Sequence, residues 1–309
     1  MKKLRIVYLG TPEFAVPSLQ ILLDNGYDIP AVVTSPDKPG GRLGIQQSAV
    51  KKFALERGLH VLQPEKLKNP EFLEELRSFG ADLQIVVAFR MLPEAVWNMP
   101  PMGSVNLHGS LLPQYRGAAP INWAVINGEK ETGVTTFKLK HEIDTGDILL
   151  QQSFPIGEND SAGEVHDTMK EIGAALLVKT VKGLIDGTLS ETPQSETGNL
   201  KSEIHHAPKI FTETCKIDFT KTVAAVHNLI RGLSPFPGAF TTLAGKTLKI
   251  YKSEKQIAAV KTTAGNYETD GKTFLKFACA DGYILVKELQ LEGKKKMTVE
   301  DFLRGYRFA

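Results

Sequence analysis

The first half of the chain alternates short, almost fully apolar runs with helix-like segments. Three of the apolar runs are LRIVYLG (4–10), IPAVVTSP (29–36) and LQIVVAF (83–89). Between them lie QQSAVKKFALERG (46–58) and NPEFLEELRSFG (69–80), which have the composition and length of helices. Strands without polar alternation are typical of parallel sheets that are buried on both faces. The pattern therefore predicts a Rossmann-like α/β domain, a mainly parallel sheet with helices on both sides.

The turn after the first run argues against a nicotinamide cofactor. A dinucleotide-binding fold carries G-x-G-x-x-G at this point, whereas here Gly10 stands alone and Pro12 takes the place of the second glycine. Open α/β sheets still bind ligands at the carboxyl ends of their strands, so this edge remains the expected place for a site.

The last third has a different pattern. Ser161 and Glu164 have the spacing of a capping box and begin a long apolar stripe that ends at Gly187. A polar, aperiodic stretch follows, and short strands such as FTTLAG (240–245) and GYILVKELQL (282–291) come after it. We therefore predict a catalytic domain over 1–188, a linker over 189–206 and a small C-terminal β-barrel, OB-like, over 207–309.

The charge distribution follows the same division. Residues 207–309 hold 17 basic and 10 acidic residues, whereas residues 1–206 carry a net charge of −5. A basic C-terminal part beside an acidic body favours a polyanionic partner, although a merely soluble basic domain is the alternative.

The segment VNLHGS (105–110) places polar side chains at the end of an apolar strand. At strand periodicity Asn106, His108 and Ser110 share one face. An amide and a protonated imidazole can both donate hydrogen bonds to an oxyanion, and Asp144 can orient the imidazole and favour its charged form. We therefore predict that Asn106, His108 and Asp144 form a catalytic trio for a substrate that brings its own nucleophile. The alternative is a polar cluster at a strand end.

Several basic segments are candidate contacts for phosphate. The loop TSPDKPGGRLGIQQSAVKK (34–52) includes Lys38 and Arg42, and GKKKM (293–297) and FLRGYR (302–307) supply Lys294, Lys295, Lys296 and Arg304. A solvated surface is the simpler explanation for each of them.

Other features narrow the class of protein. Cys215 and Cys279 lack the spacing of a metal or redox motif, and no apolar run is long enough to span a bilayer. We therefore expect free thiols, a cytoplasmic location and no metal.

The segment NLHGSLLPQYRGAAPINWAVINGEKETGVTT (106–136), followed by Asp144-Thr-Gly-Asp147, resembles the folate-dependent formyltransferases. The opening YLGTPEFAVPSL is similar to the start of that family, and IRGLSPFPGAF (230–240) and LEGKKKMTVEDFLRGYR (291–307) resemble its closing motifs. The resemblance therefore runs nearly from end to end.

The resemblance implies a formyl group carried by 10-formyltetrahydrofolate as cosubstrate. It implies initiator methionyl-tRNA as the acceptor. No obligate protein partner is evident from the sequence, and we expect a monomer. The resemblance also implies that Asn106 and His108 stabilise a tetrahedral oxyanion, while Asp144 orients His108 and helps to take up the proton of the amine. The implied folate-binding residues are Phe89, Arg90, Met91, Leu92, Ser110, Leu111, Leu112, Pro113 and Gly146. The implied tRNA-binding residues are Lys38, Arg42, Lys209, Arg231, Lys294, Lys295, Lys296 and Arg304.

The sequence departs from the family in places. The stretch GRLGIQQSAVK (41–51) is one residue shorter than usual and lacks the expected lysine and prolines, so contacts of this loop beyond Arg42 are left open. The catalytic chemistry alone also fits a formyltransferase for glycinamide ribonucleotide or an amino-sugar nucleotide. The basic C-terminal part favours the tRNA substrate over these small amines.

Overall fold

A computed structural model describes residues 3–40, 44–197 and 203–308. By its contacts the chain divides into two compact units. Unit 1 comprises residues 1–117, 133–154 and 166–206, and unit 2 comprises 118–132, 155–165 and 207–309. The predicted boundaries assigned 118–132 and 155–165 to the catalytic domain, whereas the structure places both segments with the C-terminal part.

Unit 1 is built on a seven-stranded sheet of the order β10-β9-β7-β6-β1-β2-β5. The strands in this part of the chain are β1 Arg5–Gly10, β2 Asp28–Val33, β3 Lys38–Pro39, β4 Ile45–Gln46, β5 Val61–Leu62, β6 Leu83–Val87, β7 Ser104–His108, β8 Arg116–Gly117, β9 Glu131–Lys138 and β10 Ile148–Pro155. The pairings that link β5, β2, β1, β6 and β7 are parallel, as predicted from the apolar runs. Strand β9 is antiparallel to β7, so the sheet is mixed at this side.

Helices alternate with these strands along the chain. They are α1 Val16–Asp24, α2 Ala49–Glu56, α3 Pro70–Ser78, α4 Glu94–Trp97, α5 Pro120–Ile126 and α6 Ala162–Ile185, of which α5 belongs to unit 2. The predicted capping box begins α6: the Glu164 carboxylate accepts a hydrogen bond from Ser161 N at 2.8 Å, and Ser161 Oγ accepts one from Glu164 N at 3.2 Å. These bonds satisfy amide donors that a helix start leaves free. The bond from Ser161 N, together with one that Ser161 Oγ donates to the same carboxylate at 2.7 Å, lowers the pKa of Glu164.

Unit 2 contains an antiparallel sheet of the order β12-β13-β16-β15-β14, with β17 paired to β16. The later elements are β11 His206–Ala207, α7 Val223–Gly232, β12 Ala239–Leu243, β13 Lys246–Ile257, β14 Tyr267–Thr269, β15 Leu275–Ala278, β16 Gly282–Leu291, β17 Met297–Thr298 and α8 Val299–Gly305. Its core includes Val226 and Ile230 of α7, Ile250 of β13 and Phe302 of α8. The short strands predicted from the sequence are therefore confirmed as an antiparallel sheet, and its closure into an OB-like barrel stays a prediction.

Interleaved segments complete unit 2. The Asn122 side chain on α5 donates to the Gly232 carbonyl at 2.8 Å, and a Cβ at Gly232 would lie 2.5 Å from Ile126 Cγ1. Glycine at 232 therefore permits α5 and α7 to pack closely. No helix in the described part of the chain combines the length and apolar composition needed to cross a membrane.

Candidate active site

Strand β7 points its polar and apolar side chains in opposite directions. Leu107 faces α6, where a Cβ at Gly173 would lie 2.9 Å from Leu107 Cδ2. Because successive side chains of a strand alternate, Asn106 and His108 face the other side of the sheet. His108 ends β7, and in the parallel ladder Leu107 pairs with Val87 of β6, which pairs with Gly10 of β1. The polar pair therefore lies at the carboxyl edge of the parallel strands, where the sequence predicted a site.

The His108 imidazole is buried and is held by a backbone carbonyl. Its Nε2 lies 3.0 Å from the carbonyl oxygen of Tyr115, so Nε2–H donates to that carbonyl. Tyr115 has a φ of +59°, a conformation that costs energy for a bulky side chain. The Tyr115 N–H donates to the His205 carbonyl at 2.7 Å and holds this conformation in place. The ring orientation of His108 is therefore set largely by Tyr115.

Asp144 lies on the other side of the same imidazole. Its Oδ2 is 3.9 Å from His108 Nδ1, which is beyond direct hydrogen-bond range but close enough for electrostatic attraction. The same oxygen accepts a hydrogen bond from Gly117 N at 3.0 Å. Asp144 has a φ of +54°, which aspartate tolerates better than most residues. The structure thus brings His108 and Asp144 together as the sequence predicted.

Hydrogen bonds from Gln194 hold the loop that carries Asp144. Gln194 Nε2 donates to the carbonyls of Asp144 at 2.8 Å and Gly146 at 2.9 Å, and Arg116 Nε donates to Gln194 Oε1 at 3.0 Å. Gln194 is buried although it belongs to the segment predicted as a linker. At Gly146 a Cβ would lie 1.6 Å from the Lys138 carbonyl oxygen, so only glycine fits.

Asn106 is half-buried between two apolar neighbours. In the ladder it pairs with Val86 on one side and Phe137 on the other. Within residues 3–40, 44–197 and 203–308, no hydrogen bond occupies its side-chain amide. The amide can therefore donate to a group that binds beside His108.

Most side chains of the loop after β7 are packed inward. Ser110 and Leu112 are completely buried, Pro113 is buried and Leu111 is half-buried. Ser110 Oγ donates to the Gln114 carbonyl at 2.6 Å, and Leu112 belongs to a core cluster with Phe137 and Ile148. Ser110, Leu112 and Pro113 therefore shape the loop that ends at Tyr115 with buried side chains. Their part in binding folate stays a prediction.

The loop after β6 contains the other expected folate-binding residues. Leu92 is buried in the core, Phe89 is half-buried, and Met91 is 72% exposed. Arg90 donates from Nη1 to the Glu65 carbonyl at 2.9 Å and from Nη2 to the Pro64 carbonyl. Arg90 therefore ties this loop to the chain after β5, Met91 is its exposed apolar side chain, and Phe89 packs partly against the core.

The residues expected to contact tRNA have different surroundings. Arg42 lies outside the described residues, and Lys38 is exposed on the two-stranded β3–β4 hairpin. Lys209, Lys294 and Lys295 are exposed, Lys296 pairs with Glu288 at 2.6 Å, and Arg304 pairs with Asp301.

Arg231 is a correction to the sequence prediction. It is only 5% exposed, and its Nη1 donates to the carbonyls of Asp160 at 3.0 Å and Gly157 at 3.3 Å. Burial lowers the pKa of this guanidinium. The structure places Arg231 inside unit 2, where it joins α7 to residues 157–160, so it is not available to phosphate.

One group of side chains has the spacing of metal ligands. Glu13, His166 and Asp167 offer ligand atoms within 4.8 Å of one another. Lys170 already pairs with Glu13 at 2.7 Å and with Asp167 at 3.0 Å, so an ammonium occupies this acidic cluster.

Sequence reasoning missed Tyr115, Arg116 and Gln194. Tyr115 acts through a carbonyl, which carries no side-chain signal. Gln194 is separated from Asp144 by 50 residues and sits in a polar, aperiodic stretch. The only available clue was that Tyr115 and Arg116 lie within the long run shared with the formyltransferases.

Comparisons with known proteins identify the family of the chain. The model of the formyl transferase family matches residues 4–181, and that of its C-terminal domain matches residues 209–307. The chain therefore belongs to the formyl transferase family.

Full-length relatives define the branch of that family. The chain is 54% identical to methionyl-tRNA formyltransferase of Parabacteroides distasonis, covering 99% of this chain and 98% of the relative. It is 55% identical to that of Phocaeicola vulgatus, covering 99% and 97%. These relatives place the chain among the methionyl-tRNA formyltransferases.

A solved structure gives the same fold at lower identity. The N-formyltransferase of Helicobacter canadensis, in complex with folinic acid and dTDP-3-aminofucose, matches with a TM-score of 0.67 at 21% identity. The match covers 95% of this chain and all of that one.

Proposed function

We propose that this enzyme transfers the formyl group of 10-formyltetrahydrofolate to the α-amine of initiator methionyl-tRNA, in the cytoplasm and as a monomer. The observation that carries the chemistry is the placement of Asn106, His108 and Asp144 at one edge of the sheet, with His108 Nδ1 3.9 Å from Asp144 Oδ2. The choice of methionyl-tRNA as the acceptor is supported by the full-length relatives, which are methionyl-tRNA formyltransferases. A folate donor is supported by the folinic acid bound to the Helicobacter canadensis enzyme.

The reaction needs an oxyanion site and a proton acceptor. The amine nitrogen attacks the formyl carbon, and the carbonyl oxygen becomes an oxyanion. We propose that the free amide of Asn106 and the Nδ1–H of the protonated His108 ring, whose Nε2–H is held by the Tyr115 carbonyl, donate hydrogen bonds to that oxyanion. The carboxylate of Asp144 stabilises the imidazolium and accepts the proton of the amine, directly or through a water. The oxyanion then re-forms the carbonyl as the bond to the folate nitrogen breaks, that nitrogen takes the proton removed from the amine, and tetrahydrofolate leaves.

Preorganisation supports this assignment. The Tyr115 carbonyl fixes Nε2 of His108, so the ring does not have to reorient during the reaction. Gly117 N and Gln194 fix Asp144 and its loop in the same way. Groups that are held before the reaction stabilise developing charge without a reorganisation cost.

The remaining side chains are assigned to the two substrates by their chemistry, apolar side chains to the folate and basic side chains to the tRNA. We propose that Met91 and Phe89, on the loop after β6, contact the folate. We propose that Lys38, Arg42, Lys209, Lys294 and Lys295 contact tRNA phosphates, and that the antiparallel sheet of unit 2 forms an OB-like support for the RNA.

The deciding experiment offers three acceptors with 10-formyltetrahydrofolate: charged initiator tRNA, a charged elongator tRNA and glycinamide ribonucleotide. We expect formylation of the initiator tRNA and little of the others. Faster formylation of glycinamide ribonucleotide would replace this proposal with the small-amine alternative.

A further inference from the structure

Unit 2 contains an open groove that the catalytic proposal does not use. Its volume is about 540 Å³, within the range of sites for small ligands. It lies between the segment 209–212, the turn 236–238 and the first strands of the antiparallel sheet. Residues of the interleaved segment 118–122 close one side.

Two phenylalanines stand at this groove with their rings in solvent. Phe236 is 81% exposed and Phe211 is 58% exposed, and both line the groove. Phe236 projects from the turn between Pro235 and Pro237, which restrict the backbone on both sides. Large aromatic rings that are exposed on a restricted backbone are uncommon on protein surfaces, and they indicate a binding partner with a flat face.

The charged groups that line the groove are cationic. Lys209 Nζ lies 5.7 Å from the centroid of the Phe211 ring, and Lys249 Nζ donates to the Pro237 carbonyl at 2.8 Å. Among the described residues that line the groove, both charged side chains are lysines and none is acidic. Two ammonium groups beside two aromatic faces match the chemistry of a nucleotide, which pairs an anionic phosphate with a planar base.

We propose that this groove binds one unpaired nucleotide of the substrate tRNA. Its base stacks on Phe236 and Phe211, and its flanking phosphates lie against Lys209 and Lys249. The proposal rests on tRNA being the substrate. It adds a base-stacking subsite to contacts that were otherwise assigned to phosphate alone.

An apolar peptide is the other occupant that the rings alone would fit. Such a peptide would leave the ammonium groups of Lys209 and Lys249 without a counter-charge, so the charge of the groove favours the nucleotide.

The first test separates stacking from electrostatics by salt dependence. Because each stacked base contributes without releasing counterions, Phe236→Ala is expected to weaken binding of initiator tRNA by about 5- to 150-fold with the salt slope unchanged. Lys209→Ala is expected to weaken binding and reduce the salt slope by about one.

A matched control exists in the same unit. Phe274 has Lys276 Nζ at 5.7 Å from its ring centroid but does not line the groove. Phe274→Ala is expected to bind tRNA as the unchanged enzyme does. An affinity of Phe236→Ala and Phe211→Ala equal to that of this control would overturn the proposal. If the unchanged enzyme binds no tRNA, the proposed function itself fails.

The second test does not depend on formylation. Phe236→Trp places an indole at the groove, and short oligoadenylate is titrated against an abasic oligomer with the same number of phosphates. We expect oligoadenylate to quench the added indole fluorescence and the abasic oligomer to leave it unchanged. Equal quenching by both would identify a phosphate site only, and no quenching by either would remove the groove from RNA binding.

Discussion

The contact of Gln194 with the Asp144 loop predicts that a residue remote in sequence from the proposed catalytic trio affects the rate. Gln194→Ala removes the donors to the Asp144 and Gly146 carbonyls, at 2.8 and 2.9 Å, and the acceptor for Arg116. Each lost hydrogen bond costs about 1 kcal/mol, and the buried carbonyl of Gly146 loses its partner as well. We therefore expect unit 1 to lose about 2 to 4 kcal/mol of stability.

The effect on the rate follows from geometry. A displacement of Asp144 by about 1 Å would lower kcat by up to about 10²-fold, because the carboxylate must stay aligned with His108 and the amine. Gln194→Glu keeps the acceptor for Arg116 and loses both donors, so it should lower kcat nearly as much as the alanine variant. The exposed Gln152 provides the control, since among the residues that the structure describes its side chain bonds only the neighbouring Ser153 carbonyl.

The assay measures kcat at saturating tRNA and folate, together with urea unfolding followed by circular dichroism. A Gln194→Ala enzyme that loses stability but keeps kcat within about twofold of the Gln152→Ala control would show that the hydrogen bonds from Gln194 to the Asp144 loop have no catalytic role.

His108→Ala should reduce formyl transfer by about 10²- to 10³-fold and leave tRNA affinity nearly unchanged; equal loss of both would mark His108 as structural. Arg231→Ala should lower the unfolding free energy by about 2 to 4 kcal/mol, because two carbonyls lose their donor. Substitution of the exposed Lys216 by alanine is the control and should leave the unfolding free energy unchanged. Equal unfolding midpoints for the two variants would contradict the structure. Burial lowers the pKa of His227, so the unfolded chain binds its proton more readily and stability falls as the pH drops below the ordinary histidine range. His227→Gln should flatten that slope, the exposed His60→Gln should retain it, and an unchanged slope in the first variant would refute the argument.

The sequence predicted the elements that burial dictates. Buried parallel strands need continuous apolar runs, so β1, β2 and β6 lie close to their predicted positions. The alternation in β7 likewise separates Leu107 from Asn106 and His108. The capping box at Ser161 could also be predicted, because it depends only on two residues three positions apart.

The sequence did not predict contacts that join polar groups over long separations. Gln194 is polar and lies in an aperiodic stretch, so the local pattern predicted a linker there. In the structure Gln194 is buried and makes tertiary hydrogen bonds. Arg231 belongs to a basic segment, so its charge suggested RNA, although its donors go to backbone carbonyls 71 and 74 residues away. Neither outcome follows from residue type, because each side chain donates to distant main-chain carbonyls, which carry no side-chain signal.

The interleaving of unit 2 has a consequence for how the protein is made. Residues 118–132 and 155–165 leave the ribosome before residues 207–309, which complete their unit. Arg231 is synthesised 71 residues after its partner Asp160, a delay of roughly 4 to 14 s at ordinary elongation rates. During that interval the two early segments await the rest of unit 2, so its folding cannot proceed strictly from the amino terminus. Translation speed across this interval thus becomes a variable in the folding yield of the enzyme.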